Sequence, residues 1–342
     1  MGFPPPSPPP PPRSFAMGWA PTPSVPTPQS VIDTAQAMAP VSEFAILQQP
    51  VPWARLFAGE SMSSLLDEQA ELVDFLRSLG LGIVWLVDPL DGLDRTREPP
   101  ELVAAGRTLL ELQIRSLHEQ WVLEIVRRFQ PAYLGLASEI NSLGARGSPQ
   151  LYAEIVDLVN TLTPQIHLIN PQSRVFVSFQ VDEAWQASFQ SLPVDHFSLI
   201  GDFSVDALGL SSYPVFFFDT PADIPDDYFS RFAQATPLPL ILVEGGWSSR
   251  GGLSFRPSET SPQDQAAFFS RYEQLLDGVQ ADLWVMLFFA DIDVGAFGLP
   301  AEREAVLSNF AFMGIVDQTL TPKLSFEVWE RIFSRPHQPV PR

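Results

Sequence analysis

The chain has 342 residues, of which 45% are hydrophobic and 11% aromatic, enough for one large core in a single barrel-sized domain. Its formal net charge of -20 argues against nucleic acid or an anionic membrane surface as partner, because both would repel it. A neutral substrate fits better.

The acidity reflects a shortage of base, since Lys323 is the only lysine. With no cysteine there is no disulfide framework, no thiolate nucleophile and no Cys-ligated metal. His118, His167, His196 and His337 lack metal-ligand spacing, so a structural zinc is not expected. No apolar stretch approaches the length of a membrane span.

Residues 1–13 carry a proline tract from Pro4 to Pro12, which reads as an extended, disordered tail. A sharper reading makes it the spacer left by a removed secretion or lipoprotein signal, which would put the protein outside the cytoplasm or on the cell surface. Residues 14–335 form the predicted domain, and 336–342 a C-terminal tail.

Within that domain apolar strand candidates recur at Ser14 to Pro21, Phe44 to Leu47, Gly82 to Val87, Tyr133 to Ala137 and Val175 to Phe179. The series continues at Ala207 to Ser211, Leu240 to Val243 and Leu283 to Phe289. Helical periodicity fills many of the gaps: Ser61 to Ser78 with Leu65, Leu72 and Leu76 inward, Leu102 to Phe129, Leu151 to Leu162, Gln263 to Leu276 and Ala301 to Phe312. Only Trp185 to Val205 shows no clean helix. Eight strands with intervening helices imply a parallel sheet, and at this length closure into a (β/α)₈ TIM barrel is the economical solution. An open doubly wound sheet is the alternative.

Two of the apolar runs end in glutamate: Glu139 closes the fourth and Glu244 the seventh. In a closed barrel both would project over the C-terminal mouth, where barrel enzymes keep their chemistry. The bland competitor for each is a carboxylate that caps the next helix or pairs with an arginine.

This placement resembles glycoside hydrolase clan A. Within it, Gly135-Leu-Ala-Ser-Glu-Ile-Asn141 and Asp206-Ala-Leu-Gly-Leu-Ser-Ser-Tyr-Pro214 are similar to segments of the family 53 endo-β-1,4-galactanases. The close at Gly314-Ile-Val-Asp-Gln-Thr-Leu-Thr-Pro-Lys323 also looks like that of many clan barrels. The resemblance implies a retaining hydrolase with Glu244 as nucleophile, Glu139 as general acid/base and Tyr213 donating a hydrogen bond to the nucleophile. It implies no metal or organic cofactor. Such an enzyme holds its two carboxyls about 5 to 5.5 Å apart, and an ionised Glu244 would raise the pKa of Glu139.

Sugar contacts are expected from Trp247 above all, with Trp53, Trp85 and Trp284 as further stacking candidates, although each also reads as core. Asp88, Asp291 and Asp293 read either as hydroxyl-binding groups or as solvated loop acids, and Asn141, which ends the acid/base segment, is expected to bind substrate with Ser138. Two departures stand out. Ser138 occupies the position where the clan carries an asparagine, and the second strand region lacks the clan's arginine, leaving Arg55 as the nearby substitute. A catalytically weak or inactive glycan-binding barrel is therefore the second functional reading.

Overall fold

The computed structural model describes residues 10–190, 194–254 and 259–341. The proline tract up to residue 9 lies outside them.

Eight parallel strands close a barrel in chain order: β1 (Ala16–Trp19), β2 (Phe44–Gln48), β3 (Gly82–Leu86), β4 (Tyr133–Gly135), β5 (Arg174–Gln180), β6 (Ala207–Ser212), β7 (Leu240–Gly245) and β8 (Leu283–Met286). All eight predicted strands are present, and the (β/α)₈ fold is the observed one. Each strand is apolar on both faces because one face fills the barrel and the other meets the helices. Ala16, Ile46, Val84, Leu86, Phe176, Ile241, Val243, Leu283 and Val285 fill the interior. The outward faces join a larger core under the helices, where Trp19, Trp284, Trp329 and Phe269 pack ring against ring. Gly18 is required at one seam, because a Cβ there would lie 2.0 Å from the carbonyl oxygen of Phe44.

Helix starts follow a repeated local rule, a hydroxyl N-cap followed by proline. Thr27 caps Pro28–Met38, Ser148 caps Pro149–Ile169 and Ser261 caps Pro262–Val279. The last two helices therefore begin a little before the apolar periodicity predicts. Helix Met62–Ser78 buries Leu65, Leu66, Val73 and Leu76, whereas Leu72 is only half-buried. The predicted helix Leu102 to Phe129 is two, Pro100–Ala104 and Leu112–Phe129, separated at Gly106, whose φ of 65° breaks the helical run. Helix Val181–Gln190 fills the gap after β5, its first turn carrying Asp182 and Glu183 where the helix dipole favours them. The segment from Ala301 stops at Leu307 and continues as a 3₁₀ turn, Ser308–Phe310.

The two predicted tails meet. Arg13, 3% exposed, grips Glu43 through two bonds of 2.9 Å, and its backbone pairs with Pro336 and Gln338. Among the described residues no helix is long and apolar enough to cross a membrane.

Candidate active site

Above the apolar plug the barrel interior turns polar. The inward positions at the C-terminal ends of β5 and β6 are Ser178, Gln180 and Ser211, followed by Tyr213 just past β6, all buried. Glu244 joins them because of a register shift between β6 and β7. Leu210 pairs with Leu242, but Ser211 pairs with Glu244, so Val243 is an extra residue. Val243 still packs inside the barrel, and the bulge turns the next side chain inward as well. In strict alternation Glu244 would point at the helices.

Glu139 reaches the same space by a different route. It lies four residues beyond β4 and adopts a left-handed backbone, φ 47° and ψ 38°, unusual for a residue with a side chain. It sits at the N-cap position of helix Ile140–Arg146, yet its side chain makes no capping bond. Instead the Ser211 hydroxyl donates to Glu139 Oε1 at 2.6 Å, and the Glu139 amide donates to Ser178 Oγ at 2.9 Å. The capping explanation for Glu139 is thereby removed.

Glu244 is oriented by a neighbour from the adjacent strand: the Tyr213 hydroxyl donates to its Oε1 at 2.9 Å. Its Oε2 is buried and has no hydrogen-bond partner among the described residues. Burial first, and then the charge of Glu139, push the Glu244 carboxyl up to about 7. Burial also raises Glu139, against the lowering effect of Arg95 and the Ser211 hydrogen bond. Tyr213 is driven well above its ordinary value by burial and by Glu244, which keeps it a neutral donor.

The arginine beside the two glutamates comes from a loop and not from the second strand region. Arg55 is on the surface, paired with Glu60 and Glu68, and takes no part in the site. Arg95, on the loop after β3, is 6% exposed and lies 3.1 Å from Asp88 and 3.8 Å from Glu139. Burial opposes its charge, but Asp88, Glu244 and Glu139 around it outweigh that and hold it as a cation. Nothing in the sequence marks Arg95, because its loop has no periodicity to place it.

Glu139, Glu244, Tyr213 and Arg95 line one cavity of ≈ 610 Å³, together with Gln180, Arg146, Glu183, Phe216, Phe217 and Phe310. The remaining sequence candidates fall outside it. Ser138 is fully buried, bonded to Ser178 Oγ at 3.2 Å and to Asp88 Oδ1 through its amide at 3.4 Å. Asn141 is equally buried and clamps the Gln180 backbone and His196 Nδ1. Asp88 serves as the ion-pair partner of Arg95. Asp291 bonds the chain's only lysine, Lys323, at 2.8 Å, and Asp293 bonds the Ser24 carbonyl through its amide.

The tryptophans are core. Trp53 and Trp247 are each 1% exposed and Trp284 is 0% exposed, while Trp85 stacks on Phe129 at 5.0 Å. Trp85 and Trp284 occupy outward-facing strand positions under the helices, and the Trp247 indole is tied to Thr260 Oγ1 at 2.7 Å. The aromatic surface of the cavity comes instead from phenylalanines, whose signal is the Val215-Phe-Phe-Phe218 run directly after Tyr213-Pro214.

No protein-family model matches this sequence, and no curated protein sequence does. Solved structures do share its fold. The exo-β-1,4-mannosidase Op5Man5 from Opitutaceae bacterium strain TAV5 gives a TM-score of 0.67 at 13% identity, covering 94% of this chain and 59% of that one. Xylanase XynB from Paenibacillus barcinonensis gives 0.62 at 17% identity, covering 92% and 95%. The family 53 glycoside hydrolase catalytic domain of Ignisphaera aggregans gives 0.57 at 13% identity, covering 90% and 88%. The family 53 domain is thus one neighbour among glycosidases of other specificities, and the likeness does not single out that family. At such identities what is shared is the (β/α)₈ fold that these glycoside hydrolases use.

Proposed function

We propose that the protein is a retaining glycoside hydrolase that cleaves β-linked sugars, with Glu244 as nucleophile and Glu139 as general acid/base. The observation that carries this reading is the division of labour at Glu244: Tyr213 holds Oε1, and Oε2 is left without a partner in a cavity that also holds Glu139.

In the first step Oε2 attacks the anomeric carbon while the bond from that carbon to the leaving oxygen breaks. The Glu139 carboxyl passes its proton to that oxygen. In the second step the Glu139 carboxylate takes a proton from water, whose oxygen attacks the anomeric carbon and releases Glu244. One water is consumed and both carboxyls return to their starting states. Arg95 stabilises negative charge on the pair, and Phe216 and Phe310 supply the apolar lining for the sugar in place of the expected tryptophans. A carbohydrate polymer as substrate, together with the proline tract, fits a site of action outside the cytoplasm.

Both carboxyls are raised by burial and one must be ionised while the other is protonated, so activity should follow a bell-shaped pH profile. Glu244→Gln should lower kcat by roughly 10⁴- to 10⁶-fold on aryl β-glycosides. Glu139→Gln should lower turnover of substrates with poor leaving groups by roughly 10²- to 10⁴-fold, with a much smaller loss on activated aryl glycosides. Because the alkaline limb reports loss of the Glu139 proton, that limb should be absent from Glu139→Gln on an activated substrate. Full activity in either variant overturns the assignment.

A glycan-binding barrel with little turnover is favoured by one observation: buried Ser138 offers no group to a bound sugar at the clan's asparagine position. Turnover of any β-glycan that is abolished by Glu244→Gln rules that reading out.

A further inference from the structure

Two of the cavities formed by the described residues open at the barrel mouth. The described lining of the ≈ 610 Å³ site cavity comes from the ends of β5 and β7 and from the segments that follow β3, β4, β6 and β8, and none of it comes from β1 or β2. A second cavity of ≈ 310 Å³ sits over the C-terminal ends of β1, β2 and β8, with Thr22, Gln48 and Gln49 as its polar lining. Phe288 lines the second cavity and Phe310 the first, and the two rings stack with centroids 6.1 Å apart at 28°. The stacked pair thus has one ring in each lining, and we take it as the wall between them.

A bridge reinforces that wall. The Arg303 guanidinium, on the excursion that follows β8, donates to both carboxylate oxygens of Asp91, on the loop after β3, at 3.1 Å each. It therefore joins the loops on either side of β1 and β2. The excursion is rigidly held: Ile292, Val294 and Ala311 form their own apolar cluster with Leu307, and Lys323 ties its base through Asp291. Asp91 is fixed as well, its Oδ1 accepting from the Leu93 amide and its carbonyl from Arg95.

We propose that this partition makes the site exo-acting, removing single sugar units from the non-reducing end of a β-linked chain; the inference rests on the hydrolase reading above. A substrate must cross the line between Glu139 and Glu244. Glu139 serves the leaving oxygen, so the leaving part of the chain extends over the β4 and β5 loops, where Arg146, Glu183 and Gln186 line open space. The ring bonded to Glu244 then backs against Phe310, on the excursion that the Arg303–Asp91 bridge ties to the loop after β3. A second unit on that side would have to enter the cavity beyond the wall.

Reducing-end-labelled pentasaccharides of β-1,4-linked mannose, xylose, galactose and glucose test this in early time courses. The expected result is loss of one unlabelled monosaccharide at a time, with the label kept on the shortened chain. An early mixture of internal fragments, or label released on a monosaccharide, overturns the exo mode while leaving the hydrolase reading intact. Cleavage of none of the four, nor of aryl β-glycosides, overturns the hydrolase reading and the mode with it. Arg303→Ala should raise the early disaccharide-to-monosaccharide ratio by about fivefold, and Arg303→Lys should stay near the parent. A folded Arg303→Ala protein with the parent's ratio overturns the role of the bridge, since mere destabilisation would lower the rate at constant ratio.

Discussion

Inside the barrel, Ile46, Val84, Phe176, Ile241 and Val285 form one layer, and Ser178, Ser211, Tyr213, Glu139 and Glu244 lie directly above it. Both layers line the inside of the same barrel, but they obey opposite rules. In the lower layer apolar side chains gain from leaving water, and any well-packed set of the right volume would serve. In the upper layer carboxyls are buried against their own solvation and held by single hydrogen bonds, so each partner is specific. The stability carried by the lower layer thus offsets the cost of the charge arrangement in the upper one.

The strongest way to break this contrast is to damage the lower layer alone. Ile241→Ala should cost about 2–5 kcal/mol in urea denaturation while leaving kcat/KM per folded molecule near the parent value. A large loss of kcat/KM in the folded fraction would show that the two layers are not separable.

The next largest effect should have the opposite sign. Glu244 is raised from an ordinary 4.5 to about 7 by burial and by Glu139, so the folded chain holds a proton that the unfolded chain has released between those values. Stability attributable to this group therefore falls as pH rises through that window and is lowest above about 7. Glu244→Gln removes the penalty and should stabilise the fold by up to about 3 kcal/mol at pH 8, with the gain vanishing below pH 4.5. Equal stability of the two proteins at both pH values would mean that the carboxyl is better solvated than its burial implies.

The two layers also differ in how far they can be read from sequence. The lower layer is legible because strands buried on both faces appear as apolar runs, which place all eight strands. The upper layer is legible only at Glu139, Glu244 and Tyr213, where a polar residue follows such a run. The bulge at Val243 leaves no mark in the sequence, although it decides where Glu244 points. Arg95 arrives on a loop, and the pairing of Arg303 with Asp91 joins residues 212 positions apart. The tryptophans mislead because stacking on sugar and packing under helices draw on the same residue type, and only the direction of the side chain separates them.

The finest probe of the upper layer is Ser211→Ala. The Ser211 hydroxyl lies in the polar layer and donates to Glu139 Oε1 at 2.6 Å, which favours the ionised carboxylate. Without that donor Glu139 should hold its proton to higher pH. If Glu139 is the acid, the alkaline limb of kcat/KM must then move upward while the acid limb, set by Glu244, moves little. The rate at the optimum should change by less than about tenfold, the scale of a single hydrogen bond. Movement of the acid limb instead would exchange the roles of the two glutamates, because only the group that has lost its donor can respond in this direction.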